Sequence, residues 1–243
     1  MNVNIKKSAA ELALEAQVEA LLENASGGQA QALESLRQNG MPHRKLEPWV
    51  YTDLRNLVRD TYRPATKVDR GTGEFKIDPV LAELGTCKIV RVNGFLMDDL
   101  SDLDALPDGV SLKVQDIATG VEADAHHFIA DMVTAFASNS MVLEVAPGAN
   151  VEQPILLANF TSGVSPIAAY AHTIIKMGEG ASATIIESLE GEGDYQSSSL
   201  LDVSLGEKAN LDFIRWQNED VAATHLALTR LTLGGTSKWR ASP

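Results

Sequence analysis

Four acids crowd one stretch of the chain: Glu187, Glu190, Glu192 and Asp194, just after Ile185-Ile186. Paired carboxylates are the minimum for acid–base cleavage of a glycosidic bond, one giving a proton while the other serves as base or nucleophile. On stacked coils such a pair would come from matched positions of adjacent coils. One repeat further on, by the period found below, those positions hold Arg215 and Asn218, which are not acids. The cluster is therefore expected to be a solvated loop. A second acidic stretch, Asp98–Asp108, invites a cation but lacks the EF-hand order of alternating oxygen ligands, Gly and a closing Glu. His126-His127 are adjacent, so on a helix their side chains point about 100° apart and do not share a metal easily. Surface or cap histidines are the expectation. Cys87 stands just ahead of a strand with no base evident nearby, which favours a small packed residue over a nucleophile.

Other signatures are missing. The chain has no Gly-x-x-x-x-Gly-Lys-Ser/Thr loop, which excludes an ATP-hydrolysing P-loop, and no Gly-x-Ser-x-Gly elbow. Gly71-Thr-Gly73, Gly178-Glu-Gly180 and Gly191-Glu-Gly193 are too short for a dinucleotide fingerprint. Lys and Arg number 20 against 33 Asp and Glu in 243 residues, a net charge of −13. That balance disfavours nucleic acid and anionic lipid as partners. With a single cysteine, the chain forms no internal disulfide framework and ligates no cysteine-bound cluster alone. Neither a secretory signal nor an apolar run of membrane-spanning length occurs, so a cytoplasmic location is expected.

The elements that must position these residues fall into three parts: a helical N-terminal region (1–63), a mixed α/β connecting region with a hairpin (64–135) and an incomplete β-helix core (136–243). Leu14, Val18, Leu21 and Leu22 mark one face of a first helix. A second helix turns Leu33 and Leu36 inward, with Arg37 in its last turn and Gly40 as its stop. Lys88–Val92, then Asn93-Gly94, then Phe95-Leu96-Met97 read as a two-residue hairpin. Phe128, Met132, Val133 and Phe136 mark a further helix.

From Met141 the chain repeats itself. Val145–Val151, Met177–Ala183, Leu205–Leu211 and Leu233–Trp239 align as an apolar residue, a small residue, two turn residues, Ala or Ser, a polar residue and an apolar one. The aligned small positions 149, 181, 209 and 237 are separated by 32, 28 and 28 residues. Alternating strands flank each turn, and no helical period fits inside a unit, so stacked β-coils explain the repeat better than a meander of hairpins. The fourth unit stops shortly after its turn, which reads as a coil left unfinished at an open end that needs a cap or a partner.

One N-terminal stretch is not generic. Arg44-Lys45-Leu46-Glu47-Pro48-Trp49-Val50-Tyr51-Thr52-Asp53-Leu54 packs Arg, Glu, Trp and Tyr into a chain poor in aromatics, and suggests an ordered docking element. It resembles the Arg-x-x-Glu-x-Trp-x-Tyr-Thr motif on the SufD side of the SufB/SufD family of iron–sulfur cluster assembly proteins. Val92–Phe95, Leu106–Val110, Thr134–Phe136, Pro154-Ile155, Gly178–Glu187 and Gly206–Gln217 are similar to that family in the same order. Met132-Val133 and Ala171-His172 depart from its pattern.

The resemblance implies a fold that is mainly β with a helical N-terminal region, a right-handed parallel β-helix (solenoid), truncated. It implies a non-enzymatic scaffold of the SUF system that pairs with SufB through the β-helix and with the ATPase SufC through a C-terminal helical domain. The SufBCD complex assembles iron–sulfur clusters, with SufD-like members linked to iron acquisition. No catalytic, cofactor-binding or metal residue carries over, and no cofactor is expected on this chain alone. The rival readings are a β-helical carbohydrate-active enzyme built on Glu187 and a self-associating fragment that forms a homodimer.

Overall fold

The structure is a computed structural model that describes residues 7–52, 54, 62–67, 69, 75–117, 128–163 and 166–242. Its second half is organised by one repeated backbone turn. Gly178, Gly206 and Gly234 donate their N–H groups to the carbonyls of Val145, Met177 and Leu205, each in the coil before, at 2.7–2.8 Å. Past the turn, Ser182, Asn210 and Lys238 donate to Ala149, Ala181 and Ala209, each at 2.8 Å. Hydrogen bonding between coils thus continues around the corner, and the small residues predicted to align stand in a column. Three residues earlier in each turn, glycine has a steric cause: a Cβ on Gly206 would lie 2.7 Å from the Glu179 nitrogen, and one on Gly234 would lie 2.8 Å from the Glu207 nitrogen.

The strands are β1 (Arg63–Pro64), β2 (Cys87–Val92), β3 (Phe95–Leu96), β4 (Val110–Gln115), β5 (Ser140–Val145), β6 (Ile155–Ser162), β7 (Ile167–Met177), β8 (Ser182–Glu192), β9 (Tyr195–Leu205), β10 (Asn210–Asn218), β11 (Thr224–Leu233) and β12 (Lys238–Ser242). From β5 onward they alternate between two parallel sheets, one of β5, β7, β9 and β11 and the other of β6, β8, β10 and β12. The result is a parallel β-solenoid of four turns. Ser140 pairs with His172, His172 with Leu200 and Leu200 with Leu228, which gives the predicted steps of 32, 28 and 28. In the facing sheet the first step is 30, from Ile155 to Ile185. Asn150 still bridges Ser182, so two additional residues are absorbed ahead of Ile155, where Pro154 stands. Alternation sends Leu143, Ile175, Val203, Ile155, Ile185 and Phe213 into one apolar core between the sheets. Trp239 stacks on Phe213 with ring centroids 5.2 Å apart.

The first coil is closed by residues upstream of it. β2 extends the second sheet beside β6, and β3 folds back on β2 through Asn93 and Gly94, both at positive φ (54° and 88°), as the Asn-Gly signal predicts. β4 runs antiparallel along β5. The acidic stretch after β3 covers the free side of β2: Asp102 accepts from the Lys88 N–H at 3.0 Å, and Ser101 Oγ accepts from the Val90 N–H at 2.9 Å. Asp102 and Ser101 thus serve a strand edge, which would otherwise be an open template for pairing.

Three of the helices form a layer against the first sheet. The helix α1 (Ala9–Leu22) carries a Ser8–Glu11 capping box, and α2 (Gly27–Asn39) ends at Gly40, whose N–H reaches the Leu36 carbonyl at 2.9 Å. A one-turn helix α3 (Pro79–Ala82) lies on the other sheet, with Leu81 against Val90, Leu156 and Ile186. The helix α4 (Phe128–Phe136) packs with α1 and α2 on Ala168, Tyr170 and Leu200 of the first sheet. Leu14, Val18, Leu33 and Leu36 are buried as predicted. Leu21 is not; it stands 37% exposed, because the α1 face that meets α2 is centred on Ala10, Leu14 and Val18.

Gly206→Ala tests the steric need for glycine at the turn. The added methyl meets neighbouring backbone that cannot move without displacing a whole coil, so we expect a loss of about 1–3 kcal/mol. The check is the urea midpoint, with Gly180→Ala as control: its Cβ meets open space and its cost, about 1 kcal/mol, comes from φ alone.

Candidate functional site

The acidic cluster singled out above is taken apart by β8, which continues through it to Glu192 because parallel neighbours hold it on both sides. It is therefore strand and not a solvated loop as far as that residue. Glu187 points into the solenoid, 3% exposed, and meets Arg215 of the next coil, whose Nε and second guanidinium nitrogen lie 2.8 and 2.7 Å from Oε2. Glu190 faces the opposite way, half-buried, with its carboxyl pushed up by burial. Glu192 is exposed, and Asp194 accepts a 2.6 Å hydrogen bond from the Tyr62 hydroxyl. Glu190 and Glu192 border one open surface depression together with Lys76, Glu219 and Asp220, whereas Glu187 faces the interior, away from it. The register partners of Glu187 and Glu190 are Arg215 and Asn218, as the repeat predicts.

Arg91 lies above this pair inside the solenoid, 5% exposed. It donates to Thr173 Oγ1 at 2.7 Å and to the His172 carbonyl at 3.0 Å. Burial pulls its pKa down to about 10, against the attraction of Glu187, so it stays a cation at neutral pH. Further along, Tyr195 donates to Glu219 at 3.2 Å, and His225 Nδ1 lies 3.1 Å from the other oxygen of that carboxylate. Burial raises Glu219, but His225, Gln217 and Tyr195 together outweigh it and hold the group below the usual carboxylate range. The coil interior is thus apolar near the glycine turns and polar near the opposite corner, where the His225 ring nitrogens are buried without a hydrogen bond.

On the outer face of the first sheet, four side chains from four successive strands form a relay. Ser140 Oγ lies 2.7 Å from His172 Nδ1, His172 Nε2 lies 2.9 Å from Asp202 Oδ2, and Arg230 donates twice to Asp202 at 2.5 Å. Burial alone would raise the Asp202 pKa, yet His172 and Arg230 more than offset it and hold it low. Both imidazole nitrogens are thus taken up, one by the Ser140 hydroxyl and the other by the Asp202 carboxylate. The types are those of a hydrolase triad, but Ser140 is fully buried and no substrate carbonyl can reach its Oγ.

Sequence reasoning missed these networks, although a signal for them was there. Glu187 and Arg215, Asp202 and Arg230, and Asp212 and Arg240 are each one period of 28 apart, and Glu144 and Lys176 are separated by the first step of 32. In a parallel solenoid one period means lateral neighbours, so opposite charges at that spacing are ion pairs. The remaining candidates resolve as follows. Cys87 is buried, its Sγ 3.7 Å from the Ala105 carbonyl oxygen and its pKa raised by burial, a packed thiol. His126, His127 and Gly71–Gly73 lie outside the described residues. Among the described residues no three His, Cys, Asp or Glu side chains gather to hold a metal.

Comparison with known proteins places this arrangement. Residues 9–157 match the model of the SufBD protein N-terminal region, and 160–242 match the SufBD core domain of SUF system FeS cluster assembly. The chain belongs to the SufBD family. An iron–sulfur cluster assembly SufBD family protein of Synechocystis is 25% identical over 91% of this chain and 53% of its own length. The iron–sulfur cluster assembly protein SufD of Escherichia coli is 25% identical over 84% of this chain and 48% of its own. The chain spans about half the length of these SufBD relatives.

Two substitutions test this SufBD interior and outer face. Glu187→Ala leaves Arg215 unpaired and Arg91 without its nearest compensating charge. We expect a loss of about 2–3 kcal/mol in denaturant unfolding, with much of it recovered in Glu187→Leu/Arg215→Met. Asp202 has a folded pKa below its unfolded value, so its contribution is complete above the unfolded carboxylate range and is lost as pH falls through the folded pKa. Unfolding free energy measured at a series of pH values below about 4 should fall less steeply for Asp202→Asn than for the wild type. Parallel curves would refute this.

Proposed function

We propose that this chain is the scaffold part of a SUF iron–sulfur cluster assembly complex: a SufD-like partner of SufB and the ATPase SufC that supports cluster assembly and iron acquisition without catalysis of its own. The support is one conjunction. A SufBD-family chain carries its solenoid as a mutually neutralised stack, with the reactive residue types occupied by one another. The cluster is cargo of the complex in this reading. Cys87 is packed under the stretch from Asp102 to Ala105 and offers no thiolate to incoming iron. The N-terminal region and the core domain occur together and in family order, which favours a subunit built like SufD over an isolated solenoid. No described helix is long and apolar enough to cross a membrane, which supports the cytoplasm as the place of work. The carbohydrate-enzyme reading has lost its residue, since Glu187 is bound to Arg215.

The test is affinity purification of the full-length protein from its own cells at native expression. SufB-type and SufC-type proteins should co-purify in stoichiometric amounts, with ATP hydrolysis present in the complex and absent from the purified chain. Recovery without either partner, or hydrolysis by the chain alone, would overturn the assignment.

A further inference from the structure

The segment from Pro42 to Thr52 is held to the helical layer by its inward side chains. Met41 and Pro42 are buried, Leu54 is fully buried, and the Trp49 ring meets Phe128 edge-on with centroids 6.5 Å apart. Successive backbone bonds tighten it: Leu46 to the His43 carbonyl, Trp49 to that of Leu46 and Thr52 to that of Trp49, each at 2.9 Å. The result is an ordered knuckle, as the density of motif residues led one to expect. Tyr51 projects from it at 96% exposure beside Val50 at 45%, and Arg44 and Lys45 are exposed on the same short segment.

The knuckle carries two exposed cations, Arg44 and Lys45, against one exposed acid, Glu47. In a chain with 33 carboxylates against 20 basic side chains, a surface arginine finds an acid easily. Among the described residues Arg37, Arg63, Arg215, Arg230 and Arg240 all have one, and Arg91 is buried. Arg44 has none. Lys45 is likewise outside any ion pair among the described residues. Unpaired arginine and exposed tyrosine are the types that dominate protein interfaces, and a segment already fixed by its own packing has little ordering entropy left to lose on binding.

We propose that this knuckle docks an acidic segment of a partner protein, carboxylates meeting Arg44 and Lys45 and an apolar side chain covering Tyr51 and Val50. The net charge of −13 sets the partner's nature: it repels polyphosphate over distance, whereas a short acidic peptide engages the local cations at contact range. The inference is independent of the SUF assignment and stands or falls separately from it.

The experiment titrates the full-length protein into a fluorescein-labelled peptide of alternating Glu and Leu at about 50 mM salt, where surface charges are weakly screened. Saturable anisotropy is expected, weakened about tenfold by Arg44→Ala/Lys45→Ala and by Tyr51→Ala, and abolished near 0.5 M salt. Lys238→Ala, an exposed lysine elsewhere, should bind as the wild type does, and circular dichroism should show every variant folded. Absence of saturable binding, or undiminished binding by Arg44→Ala/Lys45→Ala, overturns the proposal. Stronger capture of a single-stranded oligonucleotide does so too. So does dilution-sensitive self-association lost in the same variants, which would give the knuckle to a second copy of the chain.

Discussion

The structure depends on the backbone ladder that joins each coil to the next, at a spacing of 28 residues after a longer first coil. Strands, glycine turns and the corners after them all share that register, so every side chain has lateral neighbours one period away. The turn is the tightest point of the stack. There, backbone approaches backbone so closely that a methyl group at Gly206 or Gly234 would overlap the coil before it. Glycine is required by the distance between coils at these places and not by the chain's own dihedral angles. The width of the solenoid, and therefore the volume its core must fill, is set at that corner.

The same register explains how an acidic chain tolerates its charge. Carboxylates placed one period before a basic residue are neutralised sideways, as Glu187, Asp202, Asp212 and Glu144 are. Exposed pairs of this kind contribute little to stability individually. Their larger effect is on specificity, since a coil slipped by one residue would set each acid beside the wrong neighbour and turn outer side chains inward. Glu187 and Arg91 are the costly members. Both are buried, so each depends on the network being complete, and this part of the interior can be filled only by the set of side chains that satisfies it.

How much of this could be read beforehand follows from the same physics. The turns were legible because their steric demand selects glycine and alanine, types that leave a visible period. The hairpin at Asn93-Gly94 was legible because positive φ at two successive residues restricts composition as strongly. Helices α1, α2 and α4 showed in their apolar spacing, although Leu21 fell on the wrong side of the boundary. The relay of Ser140, His172, Asp202 and Arg230 stayed hidden because its members belong to four strands and form no local motif. The acids of 187–194 were misplaced for a related reason. Their polarity suggested solvent, whereas parallel neighbours on both sides draw the strand through them and bury Glu187.

Chemistry needs a reactive group and also access to it, and the solenoid separates the two. Ser140, His172 and Asp202 stand at hydrogen-bonding distances with a buried hydroxyl at the head of the line, and Asp202 is held by Arg230 at its foot. The imidazole is buried and held at both nitrogens, by the Ser140 hydroxyl and the Asp202 carboxylate, so neither nitrogen is open to a substrate. The acid–base capacity of the relay is consumed in joining four strands. Glu187 is consumed in the same way, and the thiol of Cys87 is kept neutral by burial. A chain that uses its acids, histidine and serine as lateral links presents partners with shape, strand edges and surface charge. The proposed scaffold role rests on those surfaces.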